Sequence, residues 1–160
     1  LLGSGAILTE VIRAAQDLAA QGIASEVVSV TSWSELARDG LAHEDPCAQA
    51  GQASGEPFVT PQLATCRGPV IAATDYVRAV PESIRAFVPA GRRYLTLGTD
   101  GFGRSEVRPV LRRFFEIDGE CTAIACLYKL ASEGSLPKSV VAEAIQKLGV
   151  DPEKRYGVCV

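Results

Sequence analysis

Apolar residues recur at helical spacing through Ile7, Leu8, Val11, Ile12, Ala15, Leu18 and Ala19, which predicts an amphipathic helix over residues 6–20 with Gly22 as its stop. Glu26-Val-Val-Ser-Val30 then reads as a short strand. Ser32-Trp-Ser-Glu35 has capping-box spacing and opens a brief helix that ends near Asp39-Gly40. Residues 40–66 hold Gly40, Pro46, Gly51, Gly55, Pro57 and Pro61 with little periodicity, which predicts a long loop. A loop of that length inside a compact domain is usually functional, interfacial or disordered.

Periodicity returns with Pro69-Val-Ile-Ala-Ala-Thr74, an apolar run suited to a buried parallel strand. A helix is expected around Glu82–Val88 with Pro81 near its first turn, and Arg93-Tyr-Leu-Thr-Leu97 as the next strand. Ser105 is placed to cap a helix carrying Val107, Val110, Leu111 and Phe114. Asp118 is placed to cap another, with Cys121, Ile124, Leu127, Tyr128 and Ala131 inward. Pro137 opens the last helix, which buries Val140, Val141, Ala144, Ile145 and Leu148, and Gly149 follows its end. Short strands alternating with helices predict an α/β fold: a three-layer α/β/α sandwich around a mostly parallel sheet.

The chain has 160 residues, so one domain over residues 1–160 is expected. A hydrophobic content of 47% with 22% charged residues argues against disorder. A net charge of −3 and scattered arginines leave no basic face for nucleic acid. No apolar run approaches the roughly 20 residues of a membrane span. The opening Leu1-Leu-Gly-Ser-Gly5 has no basic region of the signal-peptide kind and reads like the end of a strand running into a glycine turn. The expectation is a fragment of a longer polypeptide. Five cysteines, at 47, 66, 121, 126 and 159, form no regular framework, which suits a reducing, cytoplasmic compartment.

Two glycine turns follow strands. Gly3-Ser-Gly5 lacks the third glycine of a dinucleotide fingerprint, because Leu8 stands there, and no acidic residue ends the next strand. It reads either as a tight turn for close helix–sheet packing or as an anion cradle of backbone N–H groups. Asp100-Gly-Phe-Gly-Arg-Ser105 lies beyond the carboxyl end of a strand, where α/β sheets place ligand contacts. Phe102 between two glycines points to a loop that something covers, or to a side chain folded back on its own core. Asp100, Phe102, Arg104 and Ser105 are the candidate contact residues. His43 is the only histidine and is expected in a solvated loop. Asp75, Asp100 and Asp118 stand at strand ends or helix starts, where capping explains them. No P-loop lysine, metal-ligand spacing or nucleophile–base pair is evident, so catalytic, cofactor-binding and metal residues are all expected to be none.

Several segments together resemble the C-terminal domain of the homodimeric pyruvate dehydrogenases, in the transketolase-like family of thiamine enzymes. They are Leu1–Leu8, Val28–Gly40, Ala73-Thr-Asp-Tyr76, Leu97–Ser105 and Phe115-Glu-Ile-Asp118, in family order. The resemblance implies a three-layer domain with one antiparallel strand in an otherwise parallel sheet. It implies a two-fold dimer and a parent enzyme that decarboxylates pyruvate and reductively acetylates a lipoyl group. Thiamine diphosphate and Mg2+ would be bound by other domains, and a lipoyl-bearing acyltransferase would be the partner. The chain departs from the family over residues 41–59, where members carry a more aromatic, histidine-containing stretch. Two readings stand beside this one: a stand-alone anion- or nucleotide-binding module using the turns at Gly3–Gly5 and Gly98–Gly103, and the same domain from another 2-oxo-acid dehydrogenase or a transketolase.

Overall fold

A computed structural model describes residues 1–45 and 55–154. Four strands, β1 (Leu2–Gly3), β2 (Val28–Ser29), β3 (Val70–Ala73) and β4 (Tyr94–Leu97), form a sheet in the order β2-β1-β3-β4. Every pairing is parallel, with Leu2 opposite Val28 and Ala72, and Val70 opposite Tyr94. The antiparallel strand implied by the family resemblance is not among the described residues.

The pleat sorts side chains into two cores. Val70, Ala72 and Tyr94 join Leu2, Val30, Trp33, Val59, Ile84 and Phe87 on one face. Ile71 joins Ala14, Leu18, Ala123, Leu127 and Ala144 on the other, with Leu95 and Leu97 packed against them. The second face is covered by α1 (Leu8–Ala19), α6 (Gly119–Ser132) and α7 (Lys138–Lys147). The first is covered by α2 (Trp33–Glu44), α3 (Val59–Ala64) and the short α4 (Ala79–Glu82) with the 3₁₀ turn Arg85–Phe87. A half-exposed helix, α5 (Arg108–Phe115), joins β4 to α6 and buries none of its residues. The three-layer sandwich is the one expected.

The local departures have identifiable causes. The helix opened by Ser32 runs on to Glu44 instead of stopping near Asp39-Gly40. Gly40 lies inside it because a Cβ there would overlap the Phe87 ring, so this glycine permits close packing. The expected loop over residues 40–66 is therefore shorter, and α3 holds its far end with Pro61 in its first turn, where a missing N–H costs nothing. Residues 46–54 of that loop lie outside the described residues. The helix expected around Glu82–Val88 begins at Ala79 and breaks into the 3₁₀ turn after Ser83.

Ser105 does not cap α5; Val107 stands at that position. With Ser105 as the cap, Pro109 would fall where its N–H must bond the cap's carbonyl, and proline has none. The helix starts later and keeps Pro109 in its first turn. Val107 and Val110, expected inward, are consequently exposed. Tyr128, Ile12 and Ala19 are exposed as well. α1 and α6 approach closely at Gly119, whose Cβ would stand 3.4 Å from Ala14 N, and bury Ala14 and Leu18 beside Ala123 and Leu127.

Overpacking a filled core costs about 1–3 kcal/mol. Gly40→Ala is expected to destabilise the chain by about 3 kcal/mol in urea denaturation, and adding Phe87→Leu should recover part of that loss. An unchanged midpoint in Gly40→Ala would refute the packing account.

Candidate functional site

Three strand-end turns meet along one rim of the sheet. Past β1, the Ser4 hydroxyl lies 2.8 Å from that of Thr74, which follows β3, and both are buried. Thr74 also accepts the Tyr76 N–H at 3.3 Å and donates its own N–H to Leu97 O at 3.1 Å. The turn after β4 is then drawn against the turn after β3. Thr99 donates its N–H to Tyr76 O at 2.9 Å and its hydroxyl to Asp75 O at 2.9 Å. Between them Gly98 has no room for a side chain, because a Cβ would stand 2.6 Å from Tyr76 O.

The candidate residues play different parts. Asp100 accepts the Arg78 N–H at 2.9 Å on one oxygen and pairs with the Arg78 guanidinium through the other. Its carboxylate is engaged within the domain. Phe102 is 87% exposed, so it does not fold back on the core. The Arg104 guanidinium sits 5.4 Å from the centre of the Phe114 ring, a cation–π distance. Ser105 is exposed. Sequence reasoning missed Tyr76 and Val77, which are exposed beside Phe102's turn. Their only sequence signal was position, directly after a buried strand.

The Gly3-Ser-Gly5 turn is a packing device. A Cβ on Gly3 would lie 2.9 Å from Val11 Cγ2 and 3.0 Å from Leu8 Cα. Gly5 takes φ +54°, and its Cβ position would lie 3.7 Å from Asp75 Oδ1. A carboxylate at the mouth of that turn opposes the field an anion or diphosphate needs, so these residues do not fit a phosphate group.

A second polar concentration joins α1, α5 and the start of α6. Glu10 is 4% exposed. One of its oxygens accepts from Arg112 Nη1 at 2.6 Å, the other from Arg13 Nη1 and the Gly119 N–H, each at 3.1 Å. Arg113 pairs with Asp118 and, at 3.4 Å, with Glu120, while Asp118 caps α6 by accepting the Cys121 N–H at 2.9 Å. Glu116 pairs with Lys154 at 3.0 Å. Asp75, Asp100 and Asp118 do not come together. Glu10 sits three residues after Ile7 and four before Ala14 on the buried stripe of α1, a signal that was legible. Every anion in this second cluster is matched by arginine, lysine or a helix N-terminus, which is a structural arrangement.

His43 occupies the last turn of α2 rather than a solvated loop, with Nδ1 2.8 Å from Asp39 O. Among the described residues no three His, Cys, Asp or Glu side chains form a metal-ligand set. Burial, with the Asp118 carboxylate beside it, pushes the Cys121 thiol up, and burial pushes Cys126 up to about 11. Neither thiol is an activated nucleophile. No helix of the described residues is long and apolar enough to cross a membrane.

The chain matches the family model of the transketolase-like TK C-terminal domain over residues 1–118. It is 50% identical over 157 residues to the pyruvate dehydrogenase E1 component of Pseudomonas aeruginosa, covering 97% of this chain and 18% of that protein. With the same component of Mycobacterium tuberculosis the identity is 47% over 153 residues, covering 94% of this chain and 16% of that one. With that of Escherichia coli K12 it is 43% over 160 residues, 96% and 17%. The chain thus spans less than a fifth of the length of the curated relatives it matches.

Removing the charge of a buried ion pair costs about 3–5 kcal/mol. Glu10→Gln keeps the shape and is expected to lose about 3 kcal/mol of unfolding free energy; a loss under about 1 kcal/mol would show the network to be dispensable. At pH 7 about one Cys126 in ten thousand is thiolate. Pulse alkylation read by peptide mass spectrometry should therefore modify half-exposed Cys66 and spare Cys121 and Cys126 until the chain unfolds.

Proposed function

Because the chain belongs to the transketolase-like C-terminal domain family, we propose that it is a non-catalytic part of a pyruvate dehydrogenase first component. The observation that carries this reading is identity of up to 50% over nearly the whole chain to pyruvate dehydrogenase E1 components of several bacteria. The parent protein decarboxylates pyruvate and passes the two-carbon unit to a lipoyl group on an acyltransferase, in the cytoplasm. Thiamine diphosphate with Mg2+ supplies the electron sink for that decarboxylation, and parts of the parent outside this chain hold it.

The domain's own contribution is mechanical. Its buried carboxylates are spent on arginines, its buried thiols are protonated, and its first glycine turn faces Asp75. None of these groups is poised to attack a carbonyl or to move a proton at neutral pH. What the domain offers is surface. The loop bearing Asp100, Phe102, Arg104 and Ser105 serves as its interface within the homodimeric parent, in keeping with an exposed aromatic on a glycine turn. The stand-alone anion-binding module is the weaker reading, because Asp75 sits beside the turn that would cradle the anion.

The test is turnover by the full-length parent. Pyruvate-dependent reduction of an artificial electron acceptor, requiring added thiamine diphosphate and Mg2+, is the expected result. Turnover of a different 2-oxo acid or of a ketose phosphate, with none of pyruvate, would reassign the parent to a related 2-oxo-acid dehydrogenase or a transketolase.

A further inference from the structure

An apolar stripe of α5 faces outward. Val107, Val110 and Phe114 stand at helical spacing along it; the two valines are exposed and Phe114 is half-buried. Phe115, one step further round the helix, packs instead with Ile7, Val11, Ala73 and Ile117.

The segment after α7 arrives at one end of this stripe. The Gly149 carbonyl accepts Arg113 Nη1 at 3.1 Å, and Asp151 turns the backbone by accepting the Glu153 N–H at 2.9 Å. Lys154 is thereby set on the C-terminal end of α5. Its Nζ donates to Phe114 O at 2.7 Å and to Glu116 Oε1 at 3.0 Å, and lies 5.5 Å from the centre of the Phe114 ring. Arg155-Tyr-Gly-Val-Cys-Val160 follow directly and lie outside the described residues. Tyr156, Val158 and Val160 alternate with Gly157 and Cys159, the pattern of an extended segment with one apolar side.

We propose that this segment covers the stripe: residues 155–160 run in extended form back along α5, with Tyr156, Val158 and Val160 over Phe114, Val110 and Val107. The reach is sufficient. Six extended residues span roughly 20 Å, and α5, with eight residues, rises about 12 Å. The pitch also fits. Alternate residues of an extended segment advance about 6.6 Å and a helical turn about 5.4 Å, so three side chains stay in step over two turns. The patch is small, and three side chains supply much less than the roughly 800 Å² per partner of a stable free association. A segment already tethered beside the Phe114 ring stands at an effective concentration near the millimolar range and needs no such area. The cover supplies what α5 lacks, since none of its residues is fully buried. This goes beyond the proposed function and holds or fails whatever the parent turns over.

The test uses the full-length protein carrying Val110→Cys, with thiol labelling rates read by peptide mass spectrometry. The introduced thiol is expected to react about tenfold more slowly than it does when Tyr156→Ser, Val158→Ser and Val160→Ser are added together. Buried Cys121 and Cys126 staying unlabelled marks a folded chain. Val107→Cys, at the far end of the stripe, should behave alike and stands in where Val110→Cys does not fold. Equal rates with and without the three serines would overturn the proposal: fast ones leave the stripe bare, and slow ones give it to another occupant. Protection that needs the three apolar residues yet fades on dilution from micromolar to low nanomolar protein would overturn contact within one chain, in favour of exchange between copies.

Discussion

The buried carboxylate of Glu10 ties α1 to the α5–α6 junction, which lies about a hundred residues further along the chain. A charge that is 4% exposed is tolerated only when paired and hydrogen-bonded, and Glu10 meets this with Arg112 of α5, Arg13 of α1 and the first N–H of α6. α5 has no fully buried residue, and it is held to the body by the Arg112–Glu10 pair and by Phe115 packed against Ile7, Val11, Ala73 and Ile117. Gly119 lies against α1, where a Cβ would stand 3.0 Å from Arg13 Cβ, and this close approach brings its N–H to Glu10.

At the rim the same economy appears in another form. Polar side chains that a reader would assign to ligands are spent on joining turns: Ser4 to Thr74, Thr99 to Asp75, Asp100 to Arg78. What remains displayed includes the apolar and aromatic side chains of Tyr76, Val77 and Phe102 beside exposed polar ones such as Ser105 and Glu106.

Much of the fold was legible because it rests on local rules. Short apolar runs beside turns located all four strands, period-3.6 patterning located the long helices, and Asp118 as the cap of α6 followed from side-chain chemistry alone. The errors came where a distant residue decided a local outcome. Gly40 looked like a helix stop until Phe87, far along the chain, occupied the space of its missing Cβ. Ser105 looked like a cap until Pro109 displaced the helix start. Tyr128 looked inward by its size, whereas α6 buries Gly119, Cys121, Thr122, Ala123, Cys126 and Leu127 and leaves Tyr128 exposed.

By itself the sequence determined the α/β layering, through the period of its apolar residues, and the family, through runs such as Leu97–Ser105. Only the tertiary structure decided what those residues do. Asp100 and Phe102 are two positions apart in one turn, and nothing in their spacing says that one is clamped inside the domain and the other left in solvent. That outcome depends on Arg78 and Tyr76 arriving from the neighbouring strand, and strand order is a property of the folded sheet.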